Sequence, residues 1–198
     1  PAGQLAGEPV YTPFTPNPTK NFEPYLTQIK ASTAKAVFCF YAGSSAVDFV
    51  KQYKQFGVTL PLYAPGFLTE GTVLKAQADA ATGILTSMNY AADLDNSANR
   101  TFAAEYQKAF NQQTPTTYAM ASYDAAAVLD KAITLAGSDL TAQSLNSAIA
   151  RVGQIDSPRG TWQFNQNRTP QQKWYLREVK MDGTVLSNVL VSELTTLG

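Results

Sequence analysis

The sequence predicts an α/β fold: a mostly parallel sheet flanked by helices, with antiparallel strands towards the carboxyl-terminal end. Three observations carry this expectation. Short apolar runs alternate with stretches whose apolar residues recur every three or four positions, as parallel strands joined by crossover helices require. One run, Ala36-Val37-Phe38-Cys39-Phe40-Tyr41, is apolar at every position, the pattern of a central parallel strand covered on both faces. Near the end, two strand-like runs flank Met181-Asp182-Gly183-Thr184, in which Asp-Gly is a strong hairpin signal.

The elements follow in order. Residues 10–14 read as a short strand entering the turn Thr15-Pro16-Asn17-Pro18. Asn21 is placed to cap a helix over residues 22–31, where Pro24 is tolerated in the first turn. After the apolar run, Gly43-Ser44-Ser45 supplies a turn and an N-cap. Ala46, Phe49, Val50, Tyr53 and Phe56 then recur at helical spacing until Gly57 stops the helix. Residues 60–64 form the next strand, ended by Pro65-Gly66. A helical stretch over residues 69–77 leads to a strand at 83–88. Asn96 or Ser97 opens a long helix with Phe102, Tyr106, Ala109 and Phe110 on one face. Beyond Pro115, residues 122–136 read as a helix with Ala125, Val128, Leu129, Ala132 and Ala136 inward. Thr141 caps another, with Leu145, Ala148, Ile149 and Val152 on its apolar side. Strands are expected at 160–164, 174–180 and 185–191.

Composition removes several chemistries. The chain has 198 residues, 44% of them hydrophobic, enough for a substantial core. Lys and Arg balance Asp and Glu at 15 each, so no basic patch argues for nucleic acid or an anionic membrane. No run of 18 apolar residues offers a membrane span, and no leader is legible after Pro1. One cysteine and no histidine leave no internal disulfide, no Cys-built metal site and no histidine base. No cofactor is expected: glycine-rich phosphate loops and the nucleophile elbow are absent. Cys39, within the apolar run, is expected to be a buried hydrophobe, and Asp93 and Asp95 belong to a capping loop before a helix. Asn99-Arg100-Thr101 and Asn167-Arg168-Thr169 match the glycosylation triplet, but such triplets arise by chance in a chain rich in Asn and Thr.

A binding constellation remains. Open parallel sheets take ligands outside the carboxyl ends of their strands. Three such ends are legible: Tyr41-Ala42-Gly43-Ser44, Gly66-Phe67 after Ala64-Pro65, and Asn89-Tyr90 after Met88. They offer free backbone amides at a helix start, two tyrosines, one amide and an aromatic ring. This is the usual mixture of an apolar ligand pocket.

Several strings match a known pattern in order and spacing. They include Asn21-Phe22-Glu23-Pro24-Tyr25-Leu26-Thr27-Gln28-Ile29-Lys30, then Ala36 through Phe40, Ala46-Val47-Asp48-Phe49-Val50-Lys51-Gln52 and Pro61-Leu62-Tyr63-Ala64-Pro65-Gly66-Phe67. Asn89-Tyr90, Tyr118, Ser122-Tyr123-Asp124-Ala125-Ala126 and Ser157-Pro158-Arg159-Gly160 continue the series. Together they resemble the type I periplasmic binding proteins, in particular the branched-chain (hydrophobic) amino acid class of ABC-transporter substrate-binding proteins.

The resemblance implies Rossmann-like lobes joined by a three-strand hinge, and the chain looks like the carboxyl-terminal part of such a protein. Residues 1–115 would be the second lobe, 116–165 a return to the first lobe (helices 122–136 and 141–152), and 166–198 closing strands mostly of the second. The helices over 122–152 would then lack a sheet to cover, and the surface exposed would favour a homo-oligomer.

By position, the family's ligand contacts fall at Tyr41, Ala42, Gly43, Phe67 and near Tyr90, with Tyr118 and Met120 at the crossing back. Gly66-Phe67 stands where amino-acid binders of this class place an acidic residue, which points towards an aromatic or aliphatic acid. The implied function is the extracytoplasmic solute-binding component of an ABC importer. It would capture a small hydrophobic or aromatic carboxylate, or a branched-chain amino acid, and work with a membrane permease. Its location would be the periplasm, or the outer surface of a Gram-positive cell. The alternatives are a ligand-sensing domain of a receptor or regulator, and a small α/β enzyme with a Lys or Asp base.

Overall fold

The computed structural model describes residues 3–14, 16–138 and 140–195. Thr15 of the expected turn and residues 196–198 of the closing segment lie outside the described residues. The chain divides into two compact units, residues 1–87 with 177–189 and residues 88–176 with 190–198. It therefore passes between them three times. In the second unit Tyr90, Leu94 and Phe102, from the segment after the third strand, share one cluster with Met120 and Tyr175.

In the first unit, helix α1 spans Glu23–Ala31. Its start is held by Asn21, whose Oδ1 accepts from the Glu23 amide at 3.0 Å, and by Gln52, whose Oε1 accepts from the Phe22 amide at 2.7 Å. Strand β1 (Val37–Phe38), helix α2 (Gly43–Gln55) and strand β2 (Leu62–Pro65) follow. After a 3-10 turn over Gly66–Leu68 come helix α3 (Thr72–Gln77), a second 3-10 turn over Ala78–Ala81 and strand β3 (Leu85–Met88). β1 pairs parallel with β2, and β2 with β3.

Residues 10–14 form no strand. They are largely exposed. The core gathers Phe22 and Leu26 of α1, Phe49, Val50 and Tyr53 of α2, Leu62 and Ala64 of β2, and Cys39. The expectation that β1 is covered on both faces does not hold. Cys39 is buried, whereas Phe38 and Phe40, on the opposite face, are 73% and 64% exposed. β1 is the first strand of a five-stranded sheet that continues through β2, β3 and the closing strands β6 (Trp174–Asp182) and β7 (Val185–Leu194), so among the described residues it stands at an edge.

In the second unit, helix α4 (Ser97–Ala109) is capped by Asn96, whose side chain accepts from the Asn99 amide. Helix α5 runs over Thr117–Ala136, five residues longer at its start than the spacing predicts, because Thr116 caps it through the Ala119 amide. Helix α6 (Ala142–Ile149) begins with the expected Thr141 cap, reciprocated by Ser144 in a capping box. Short strands β4 (Gln163–Phe164) and β5 (Pro170–Gln171) pair antiparallel. Val128 and Ala132 of α5 meet Ala148, Val152, Ile155 and Trp162. Leu129 and Ala125, expected inward, are exposed instead, as are Tyr123, Ile133 and Leu135.

The closing strands β6 (Trp174–Asp182) and β7 (Val185–Leu194) are joined by the turn at Gly183, where φ is +59° as the Asp-Gly signal requires. Within the first unit β6 joins β3 through the reciprocal backbone bonds of Val179 with Gly83 and Ile84.

Candidate functional site

Two strand tips define the candidate site in the first unit. After β1 the backbone turns at Ala42, which is extended with φ −142° and ψ 163°, and enters α2 at Gly43 with φ +58°. A residue with a Cβ is strained at that φ, so glycine makes this entry possible. No side chain caps the helix and no acidic residue stands in its first turn. Gly43 and Ser44 are exposed. The helix start thus presents uncapped amides and the positive end of its dipole, about half a unit charge, to an anion or carbonyl.

The second tip is β2. Pro65 leads into the 3-10 turn, where Gly66 is buried and Phe67 half-buried. The β1–β2 register aligns Phe38 with Tyr63. It brings the Phe67 ring to 6.3 Å from Phe40, in an edge-to-face arrangement. Phe40 therefore belongs with this tip, although its sequence position marked it only as part of a strand. Its parity with Phe38 is the signal that could have found it: residues two apart in a strand share a face.

Tyr41, at the end of the same segment, is half-buried. Its ring lies 4.6 Å from that of Phe49 and 5.4 Å from that of Phe22, and its hydroxyl is 2.9 Å from Thr12 Oγ1. Burial raises the pKa of this phenol while the Thr12 bond opposes the shift. Tyr41 anchors the tip with its ring turned to the core.

In the second unit, Asn89 is fixed between two partners. Its Nδ2 donates to Gln172 Oε1 and its Oδ1 accepts from Thr117 Oγ1, both at 3.2 Å. Tyr90 is 1% exposed and donates to Asn99 Oδ1 at 2.9 Å. Met120 is fully buried in the same cluster. Tyr118, on the first turn of α5, is exposed. Of these four, Asn89 and Tyr118 retain accessible surface, whereas Tyr90 and Met120 support the loop from within.

The buried carboxylates are committed to arginines. Glu70 Oε2 lies 3.0 Å from Arg177 Nη2, and Asp124 Oδ2 lies 2.7 Å from Arg159 Nε. Asp93 and Asp95 serve the loop, as their spacing suggested: Asp93 accepts from the Leu190 amide, and Asp95 pairs with Arg100 at the surface. Among the described residues, no three His, Cys, Asp or Glu side chains converge to hold a metal ion.

These features can be set beside known proteins. The profile of a family described as periplasmic binding protein matches residues 2–184. The Leu/Ile/Val-binding protein homolog 6 of Brucella melitensis is 33% identical over 186 residues, which is 90% of this chain and 47% of the relative. Among solved structures, an ABC-transporter solute-binding protein from R. palustris in complex with benzoate is 33% identical. It superposes with a TM-score of 0.79 over 89% of this chain and 47% of its own. Another from R. palustris, in complex with 4-hydroxybenzoate, is 27% identical with a TM-score of 0.82, covering 93% of this chain and 51% of its own. The chain spans about half the length of the curated relatives it matches.

Proposed function

The chain belongs to the periplasmic binding protein family, and from that premise we propose that it is part of an extracytoplasmic solute-binding component of an ABC importer. The family is one of binding proteins and not of enzymes, and a membrane permease is the natural partner of such a component. Among the described residues, no helix is long and apolar enough to cross a membrane.

We take the solute to be a small aromatic carboxylate. One observation carries this reading: the uncapped start of α2 at Gly43 and Ser44 follows closely along the chain from Phe40, whose ring meets Phe67. A carboxylate suits the helix start and an aromatic ring suits the apolar pair. A branched-chain amino acid is the second reading, favoured by the name of the Brucella relative. Its ammonium would need a carboxylate near these tips. The acid closest in sequence to Phe67 is Glu70, which is buried against Arg177.

The test is an amide NMR titration of this chain with benzoate, 4-hydroxybenzoate and leucine in turn. The aromatic acids are expected to move the Gly43, Ser44 and Phe67 resonances, and leucine to leave them in place. Shifts with leucine alone would reject the aromatic reading, and shifts with none of the three would reject the site.

A further inference from the structure

Gln77, the last residue of α3, is an amide buried to 1% exposure. Its Nε2 donates to Leu68 O at 2.7 Å and to Ala46 O at 3.1 Å. Leu68 closes the 3-10 turn that carries Phe67, and Ala46 lies in the first turn of α2, just after Gly43. One nitrogen therefore spans the two segments that form the candidate site. Gln77 Oε1 is buried and meets no hydrogen-bond partner among the described residues. The amide's orientation is nonetheless fixed, because the reverse orientation would set its oxygen against two carbonyl oxygens. A buried amide satisfied on one side only is costly. An apolar side chain of the same length would fill the space without that cost, so what the amide adds is the link.

The backbone beside it is strained. α3 stops at Gln77, and Ala78 adopts φ +50° with its amide closed on Leu74 O. A residue with a Cβ disfavours that φ, and such strain persists only where the surroundings hold it. The two bonds of the preceding residue supply a hold. On its other side the turn is pinned to β7: Thr69 Oγ1 donates to Asn188 Oδ1 at 2.6 Å, and Asn188 Nδ2 donates to Thr69 O at 2.8 Å. Consecutive residues of the turn are thus held by different elements, and Gln77 joins it to α2.

We propose that Gln77 is a positioning residue for the binding site, fixing the Phe67 turn against the start of α2. The carboxylate seat at Gly43 and the ring seat at Phe67 then keep one spacing. Solutes are selected by the distance between their carboxyl group and their ring, and the seat is formed before the solute arrives, which lowers the cost of binding. This selection rests on the aromatic-carboxylate reading, whereas the link between the two tips exists without a solute.

The test compares Gln77→Met, which keeps the length and removes the donor, with Leu26→Val, which weakens the same core from α1. Amide hydrogen exchange is first followed without solute. In Gln77→Met the Thr69 amide, bonded to Gly66 O, and the Ala46 amide, bonded to Ala42 O, should exchange about tenfold faster, the effect of one hydrogen bond lost to a buried group. The Leu26 amide, bonded to Phe22 O, should keep its rate. The ratio of affinities for benzoate and 3-phenylpropanoate, read from the Gly43 and Phe67 resonances, should change several-fold in Gln77→Met and stay at the parent value in Leu26→Val. A loss of stability alone lowers both affinities alike. On the unaltered chain the Gln77 side-chain amide protons should exchange slowly, more slowly with benzoate, and no differently with acetate, which fills the helix start alone. Tip amides that exchange as in the parent, or no faster relative to Leu26, would overturn the proposal, as would an unchanged affinity ratio. Gln77 side-chain protons that exchange as in a free amide would overturn it whether or not the variant folds. If the parent binds no acid, the aromatic reading falls, and exchange without solute still decides whether Gln77 holds the tips.

Discussion

Arg159 Nε lies 2.7 Å from Asp124 Oδ2, and both side chains are more than nine-tenths buried. The same carboxylate oxygen accepts from Trp162 Nε1 at 2.9 Å, and the guanidinium sits 4.4 Å from the Trp162 ring centre. Tyr175 donates to the Arg159 carbonyl at 2.7 Å. Burial pulls the arginine pKa down while Asp124 holds it up. Removing one partner leaves a buried charge without its counterion, a loss of about 3–5 kcal/mol. Asp124→Ala should therefore destabilise the chain strongly in urea unfolding. The double variant Asp124→Ala, Arg159→Leu should lose less than the two single losses added together. Strict additivity would show that the two groups are not coupled.

Phe49 is the centre of the aromatic cluster beneath the first strand tip. Its ring contacts Phe22 at 5.3 Å, Tyr41 at 4.6 Å and Tyr53 at 5.7 Å, and it is 3% exposed. Phe49→Ala should cost about 3–5 kcal/mol, the range for emptying an aromatic site in a close-packed core. Phe49→Leu, which keeps most of the volume, should cost clearly less in the same denaturation series.

Gly43 has open space around an imagined Cβ, yet its φ is +58°. A substitution there meets backbone strain and no steric clash. Gly43→Ala is expected to lower stability by about 1 kcal/mol, and Gly43→Asn by less, because Asn tolerates the left-handed region better. Equal losses for Ala and Asn would mean that φ is not what the position selects.

Cys39 and Tyr53 make the fold sensitive to alkali. Burial pushes the Cys39 thiol from 9.0 up to about 12, and burial with the nearby Cys39 pushes the Tyr53 phenol from 10.0 up to about 12. Both folded pKa values exceed the unfolded ones, so the folded chain retains these protons longer. The resulting stability is complete below pH 9 and is lost as pH rises towards 12. Urea midpoints should fall over that window, and Cys39→Ala should flatten the fall. Cys39 should also resist alkylation at pH 8 until the chain unfolds, since thiolate is the reactive form.

The alternating elements were legible because local patterns specify them. The 3.6-residue spacing of Ala46, Phe49, Val50 and Tyr53 matches the buried face of α2, and the Thr141 cap and Gly183 turn follow from side-chain and backbone chemistry within four residues. The parts that escaped are non-local. An apolar run reads alike whether its second face is covered or open, so Phe38 and Phe40 could not be told from core residues. Residues 10–14 have a strand-like composition but form no strand, because strand formation needs a partner that no local pattern reveals. Within the candidate site, Gly43 and Phe67 were placed at strand tips by order alone. The inward turn of Tyr41 and the enclosure of Tyr90 and Met120 depend on rings and helices distant in sequence.

By itself the sequence determined the kinds and order of elements, the lack of histidine chemistry and the family resemblance, since each rests on composition or short-range spacing. Tertiary structure alone decided which aromatic rings are anchors and which are exposed, and that β1 ends the sheet among the described residues. Burial and strand pairing are properties of neighbours brought together by folding, and the chain's own order does not name them.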